Sequence, residues 1–434
     1  MLLYWWFAFF RPQDRLWFDI SSWRLPLVAA ALFLIATIIR RQTPQLNDSI
    51  TKLMLLWLGM AAIAHFSMGC GNAGPLGNAL VYMSTLILMV LLSERVIENE
   101  KNIVYLLIIV AVPFCYFASK SGIGSILGGG ASNYGAKDFT GVFTGSNAFA
   151  LGTGMMVFLM LFLLQQTFNT KTLSYFPSVM SHRLILLFMR GAILVMTGAC
   201  VYYIMSLQSR GSSLATFFAL FVFAILNKVK LKWFLMVIPA AILIVAFVPL
   251  PEGYEERIKS AFEDKEELDE SAKSRPHFWA TARLMASDHI FGVGPGCYQS
   301  YFDYYDSTGG QFGRSRSVHS SHFQVLSETG YTGLLVWILL FAFTYRRLFA
   351  LRKSARSYPE RYQNSKLLVS LSNTLICSQS VFLLAGSFYA LAYNDLLWLI
   401  WAITIATTRI MKQQFHANAP SKTSAAYDSE AQAM

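Results

Sequence analysis

The stretch LILLFMRGAILVMTGACVYYIMS, residues 184–206, decides the fold class, because it carries a single charged side chain along its whole length. A helix of about 20 mostly apolar residues spans the hydrocarbon core of a bilayer. The chain repeats this pattern, and the apolar runs are 25–39, 51–68, 77–93, 103–118, 147–166, 184–206, 211–227, 233–249, 331–350, 367–389 and 391–411. Residues 1–10 form a shorter twelfth run. The sequence therefore predicts an all-α polytopic membrane protein with about 12 transmembrane helices.

The composition supports a membrane protein and excludes the soluble classes. Hydrophobic residues make up 55% of the 434 residues and charged residues 14%, and the mean hydropathy is +0.45. A soluble globule has too little interior to hide so much apolar surface. This excludes a soluble enzyme, a disordered chain and a secreted disulfide scaffold. The net charge of +11 fits the loops of a membrane protein, so we expect a lipid bilayer as a partner and no nucleic acid.

Lysine and arginine orient the predicted helices, because one set of alternate short loops holds most of them, notably 346–366. The positive-inside rule then places both termini in the cytoplasm. We divide the chain into about nine N-terminal transmembrane helices in 1–249, an outer, partly helical loop in 250–330, three C-terminal transmembrane helices in 331–411 and a disordered cytoplasmic tail in 412–434. The glycine-rich outer segment 119–146 is interpreted as a flexible linker, and the alternative is a flexible cover over a site.

The five cysteines have no CxxC spacing, which excludes a zinc ribbon and a redox motif. Cys115, Cys200 and Cys377 lie in apolar runs, where a thiol behaves as a small hydrophobe. Cys70 and Cys297 would share the outer side of the membrane. A disulfide between them is therefore one interpretation, although free thiols are the favoured one.

Three side chains suited to chemistry are predicted on the outer side of the membrane, namely Arg210, Arg275 and His319. Two guanidiniums suit a diphosphate, because each offers paired donors to phosphate oxygens and keeps its charge. A histidine suits removal of a proton from a hydroxyl. Taken singly, an interfacial arginine is more often a residue that snorkels to headgroups. His319 and His322 have no third ligand nearby in sequence, so we expect no metal site. Arg275 next to Pro276 predicts the first turn of a helix.

From His319 onward the sequence resembles the O-antigen ligase and O-antigen polymerase superfamily of bacterial envelopes. The signature of that family is His, then Asn, Ser or Gln, nine residues, Gly, two residues, and Gly, Thr or Tyr. Here it reads His319-Ser320, SHFQVLSET, Gly330 and, three residues on, Gly333. His322 is an extra histidine within the signature. Chemistry alone does not decide which histidine acts, but the spacing favours His319.

Further segments strengthen the resemblance over residues 140–411. A second family signature, Arg with Leu four residues on, is matched by Arg210 and Leu214. Arg275 in RPHFW, ahead of the glycine turn FGVGPGCY, is similar to the loop arginine of the family. Asn147 in GVFTGSNAFA occupies the position of an asparagine at the start of a family helix. The opening, WWFAFFRPQDRLW, resembles the O-glycosylation-ligase-like branch found with exosortase systems.

The resemblance implies a glycosyltransferase of the bacterial inner membrane with its active site facing the periplasm. It would move a glycan from undecaprenyl diphosphate to a sugar hydroxyl of lipid A–core, with inversion and with neither metal nor cofactor. His319 would be the general base, and Arg210 and Arg275 would bind the diphosphate. His322, Asn147 and Gly330 would support them. Polymerisation of repeat units and transfer to a protein hydroxyl remain open within the family. Outside it, the alternative is a secondary transporter.

Overall fold

A computed structural model describes residues 1–14, 23–70, 79–131, 143–229 and 270–418, and every secondary-structure element in them is helical. The helices of at least eight residues are α1 (Leu2–Phe10), α2 (Leu25–Ile39), α3 (Ser49–Met68), α4 (Ala79–Val96), α5 (Glu100–Leu127), α6 (Ser146–Gln166), α7 (Arg183–Ser206), α8 (Arg210–Leu226), α9 (Glu270–Asp288), α10 (Tyr298–Tyr305), α11 (Ser321–Ser357), α12 (Ser365–Ala385) and α13 (Asp395–Ala417). The predicted all-α class is confirmed.

Seven of the described helices are long and apolar enough to cross a membrane, namely α3, α4, α5, α6, α7, α11 and α12. The helices α2 and α8 are apolar but shorter. A polytopic membrane fold is therefore confirmed, whereas the total of about 12 spans stays a prediction. The predicted run 233–249 and the acidic start of the 250–330 loop lie outside the described residues.

The centre of the bundle is formed by α6 and α12, which pack against each other and whose side chains are buried on most sides. Small residues permit this packing. A Cβ at Gly154 of α6 would lie 3.0 Å from a methyl carbon of Val381 on α12 and 2.4 Å from the hydroxyl oxygen of Thr216 on α8. Small residues at such positions let helices approach closely where no hydrophobic effect drives them together.

Charged side chains at one end of the bundle bind the ends of helices. Arg409 of α13 donates to the main-chain oxygens of Glu94 and Ile97 at the end of α4. Arg352 of α11 donates to the main-chain oxygen of Leu226, the last residue of α8. Helix C-termini carry unsatisfied carbonyls and partial negative charge, which cations stabilise. These arginines therefore cap helices at the end of the bundle that the charge count assigns to the cytoplasm.

The opposite end carries an extramembrane unit formed by α9, α10 and the segments that connect them to α11. Its own core consists of Phe278, Ala282, Met285, Val293, Cys297, Tyr298, Phe302 and Val318. A disulfide joins Cys297 to Cys70, just after α3, and the hydroxyl of Tyr301 donates to the main-chain oxygen of Met68. The preference for free thiols at Cys70 and Cys297 was wrong, because the fold brings together two loops that are distant in sequence.

Helix boundaries correct three predictions. The α5 helix continues through 119–127, so the glycine-rich segment is only partly a linker: a Cβ at Gly122 would lie 2.3 Å from the carbonyl oxygen of Ala199, and this glycine serves close packing of α5 on α7. The α9 helix begins at Glu270, and Arg275 is not in its first turn. The α13 helix continues to Ala417, within the predicted tail.

Candidate active site

His319 lies immediately before α11 in a left-handed backbone conformation with φ +49°. This conformation is uncommon for a residue with a side chain, and such positions cluster at functional sites. The neighbouring residues hold it in place. Ser320 caps α11 by accepting a hydrogen bond from the backbone N–H of Phe323 (3.4 Å), and the N–H of Ser321 donates to the carbonyl of Gly386 (2.6 Å). The second position of the family signature is thus a helix cap, a role that suits Asn and Ser.

The turn between α12 and α13, residues 386–394, holds the start of α11. The hydroxyl of Ser321 donates to the carbonyl of Tyr389 (2.7 Å) and accepts from the N–H of Leu391 (2.9 Å). The ring of Tyr389 lies 6.4 Å from that of His319, and its hydroxyl donates to the carbonyl of Thr144 (3.5 Å). This turn connects His319 to the segment before α6. No motif in the sequence marked it.

Arg275 and the residue after Arg210 come from different helices and lie near the same aromatic ring, Phe388. The guanidinium of Arg275, on α9, lies 5.8 Å from the ring centroid of Phe388. Gly211 faces that ring closely, since a Cβ built on it would lie 2.9 Å from a ring carbon, and Arg210 precedes it as the first residue of α8. The structure therefore brings Arg275 and the start of α8, which begins with Arg210, to Phe388.

The surroundings of His319 keep its imidazole neutral. Burial lowers its pKa to about 4, and the positive charges of Arg275 and Arg316 contribute. The ring of Phe278 lies 5.9 Å away. Among the described residues, none forms a hydrogen bond with either ring nitrogen of His319. The imidazole is therefore available to a substrate. Arg316 was missed by the sequence reasoning, because an exposed arginine in the polar stretch RSRS carries no distinguishing pattern.

The α9 helix positions Arg275 because it packs on the first turn of α11. Trp279 stacks on Phe323 with ring centroids 5.2 Å apart and an interplanar angle of 6°. Phe278 is fully buried in the extramembrane core. One face of α9 thus brings Arg275 and Phe278 to the side of His319.

Gly330 interrupts α11 with φ +70° and ψ −176°. The glycine turn after α9 fits into this break, since the N–H groups of Val293 and Gly294 donate to the carbonyls of Ser327 and Glu328 at 2.9 Å and 3.1 Å. A Cβ at Gly330 would lie 1.9 Å from the carbonyl oxygen of Ile290. The signature glycine is therefore required by the close approach of the outer loop.

His322 and Asn147, the other predicted supporting residues, differ in their settings. The indole N–H of Trp337 donates to Nδ1 of His322 (3.2 Å), and Nε2 of His322 lies 3.0 Å from the carbonyl of Leu383. Both nitrogens of this ring are thus occupied by the protein. Asn147 is exposed on the first turn of α6, two residues after Gly145, which lies beside the Tyr389 hydroxyl. In the described part of the chain, no three His, Cys, Asp or Glu side chains form a metal-binding group.

Residues 194–338 match the family model for O-antigen ligase. The matched segment contains Arg210, Arg275, His319 and Gly330, and so includes most of the site described above. Over this stretch, about a third of the chain, the sequence is similar to the O-antigen ligase family. Enzymes of this family are membrane glycosyltransferases that use lipid-linked donors. A search of curated proteins found no match.

Proposed function

We propose that the protein is an O-antigen ligase that moves a glycan from undecaprenyl diphosphate to a sugar hydroxyl of lipid A–core. One observation carries the proposal: His319 has a neutral imidazole near Arg275, and Arg210 precedes Gly211, which packs on the Phe388 ring that Arg275 also faces. A neutral base next to two permanent cations matches a reaction that deprotonates a hydroxyl and releases a diphosphate.

In this mechanism His319 takes the proton of the acceptor hydroxyl while the hydroxyl oxygen attacks the anomeric carbon of the donor. The bond from that carbon to the diphosphate oxygen breaks, and the configuration is inverted. Arg210 and Arg275 stabilise the charge that develops on the leaving diphosphate. A diphosphate is a good leaving group, so the step needs neither a general acid nor a metal. His322, with both ring nitrogens occupied, holds α11 against α12.

The proposed orientation places this site in the periplasm and both termini in the cytoplasm, within a bundle of about 12 spans. The Cys70–Cys297 disulfide supports it, because disulfides persist in oxidising compartments and are rare in the cytosol. The arginines that cap helices lie at the other end, where the positive-inside rule expects them.

The test uses purified protein, an undecaprenyl-diphosphate glycan and lipid A–core, with EDTA present. Wild type is compared with His319→Ala and with His182→Ala, an exposed histidine before α7 at the opposite end of the bundle. We expect wild type and His182→Ala to give a lipopolysaccharide band shifted by the glycan, and His319→Ala to lose at least 100-fold in rate. Normal transfer by a folded His319→Ala protein would exclude the proposed base. Longer lipid-linked glycan without lipopolysaccharide would identify a polymerase instead.

A further inference from the structure

An apolar cavity of about 370 Å³ lies beside the last turns of α6, between α5, α7 and the segment that connects α6 to α7. Its lining includes Val104 of α5, Met160 of α6, Phe176 and Met189, and ligand pockets in proteins have volumes of about 300–1,000 Å³. The helices α5, α6 and α7 are candidate membrane spans. Phe188, which also lines the cavity, is exposed, so the cavity opens toward the lipid around the bundle.

Arg190 of α7 lies at the edge of this apolar cavity. Its Nε and one terminal nitrogen donate to the hydroxyl oxygen and the carbonyl oxygen of Thr167 (3.1 Å and 2.7 Å), and Thr167 lines the cavity. A guanidinium has five N–H groups, so these two bonds fix the side chain and leave donors for a ligand. In the described part of the chain no carboxylate forms an ion pair with Arg190. Its positive charge is therefore available to an anion.

A second cavity, of about 510 Å³, shares the lining residue Gln166 with the first. This cavity is polar, because its lining includes several amide side chains and the cations Arg356 and Lys366. Phe168 lines it as well, and the guanidinium of Arg190 lies 3.8 Å from the centroid of the Phe168 ring. Arg190 therefore contacts one residue of the apolar cavity and one residue of the polar cavity.

We propose that this end of the bundle binds an anionic phospholipid, with an acyl chain in the apolar cavity and the phosphate at Arg190. A fixed guanidinium offers paired donors to phosphate oxygens, and basic pockets between membrane helices recognise anionic headgroups. The inference does not depend on glycan transfer. The α6 helix begins beside Tyr389 and has 21 residues, so about 30 Å of helix separates this lipid site from the site of His319.

Native mass spectrometry of the purified full-length protein in detergent tests the headgroup contact. The probes are phosphatidylglycerol and phosphatidylcholine with identical acyl chains, so that only the charge of the headgroup differs. We expect wild type to bind phosphatidylglycerol more tightly. Arg190→Gln should bind it about ten-fold more weakly, a typical loss for one charge-assisted contact, and should lose the preference. The control is Arg346→Gln, an exposed arginine of α11 that lines neither cavity and should bind both lipids as wild type does.

A second pair of variants tests the position of the acyl chain. Ala192→Trp places a large ring in the apolar cavity, and Val195→Trp places the same ring at an exposed position of α7 outside it. We expect Ala192→Trp to weaken the binding of both lipids and Val195→Trp to leave it unchanged, at equal thermal midpoints. Because Arg190 also binds Thr167, Arg190→Gln could lower stability. Arg190→Lys keeps the charge and should retain the preference for phosphatidylglycerol.

Three results would overturn the proposal. Equal affinity of wild type for the two phospholipids would show that no anion is recognised. Full affinity for phosphatidylglycerol in Arg190→Gln or in Ala192→Trp would place the bound lipid elsewhere on the bundle. Undecaprenyl phosphate is added as a third probe. If it binds more tightly than phosphatidylglycerol and loses affinity in both variants, the site belongs to a polyprenyl carrier and not to a phospholipid.

Discussion

At the scale of the residue, His319 has a side chain with a fixed direction and an uncharged imidazole ring. The left-handed backbone at φ +49° sets where the ring points, and burial together with Arg275 and Arg316 lowers its pKa to about 4. A bound diphosphate adds negative charge beside the same arginines and stabilises the protonated imidazole. The base therefore becomes stronger once the donor is in place.

This charge arrangement predicts the pH dependence of transfer. In the proposed mechanism His319 acts in its unprotonated form, which is present above its pKa and lost as the pH falls through it. Since kcat/KM reports the free enzyme and kcat reports the complex, kcat/KM should fall only near pH 4, while kcat should fall at a higher pH. The measurement is both parameters over the range of pH in which tryptophan fluorescence shows the fold to be intact. An acid limb of kcat/KM at the ordinary histidine value of about 6.5 would contradict the burial of the base.

Single residues also show how far sequence could predict the site. His319 and Gly330 were predicted from the fixed spacing of the family signature, and the structure shows a local reason for that spacing: a helix cap follows His319, and Gly330 breaks the helix. Phe388 and Tyr389 left no signal, because they contact the site from a turn about 70 positions further along the chain. Arg316 differs from other surface arginines only through its neighbours, Phe278 and His319, and those contacts exist only in the folded protein.

At the scale of the element, α11 joins the membrane bundle to the outer loop through its break at Gly330. The glycine turn after α9 occupies that break and donates to carbonyls that the helix leaves open. The same turn begins directly after the helix that carries Arg275. The position of Arg275 relative to His319 therefore depends on how the turn sits on α11. Hydropathy correctly predicted the apolar part of α11 but not its first turns, whose polar residues are buried under the outer loop.

Gly330→Ala tests the importance of this junction. A Cβ at this position would lie 1.9 Å from the Ile290 carbonyl oxygen, and the alanine would also have to adopt φ +70°. We therefore expect a loss of about 3 kcal/mol or more in the free energy of unfolding. Thermal unfolding in detergent measures it. The control is Gly191→Ala on α7, where a Cβ meets no atom within 4 Å and stability should be unchanged or slightly higher. Equal midpoints for the two variants would show that the outer loop does not dock in the break.

At the scale of the whole molecule, the two ends of the helical bundle have different chemistry. The starts of α6, α8 and α11 and the end of α12 meet at the site, and the disulfide fixes the outer unit to the end of α3. The other end has arginines bound to helix C-termini. The loop charges predict a basic end of the bundle, but they do not predict capping, because the arginine and the helix end lie more than 100 residues apart in each pair.

The disulfide gives a prediction that concerns both topology and stability. Denatured protein treated with a polymer-linked maleimide should react at three cysteines, Cys115, Cys200 and Cys377, without reductant, and also at Cys70 and Cys297 after reduction. Reductant should lower the stability of wild type by about 2–4 kcal/mol and leave Cys70→Ser unchanged, because that variant has no bond to lose. Five reactive cysteines without reductant, in protein alkylated inside intact cells, would place this end of the molecule in a reducing compartment. That outcome would also contradict a periplasmic site, because Cys297 belongs to the same core as Val318, the residue before His319.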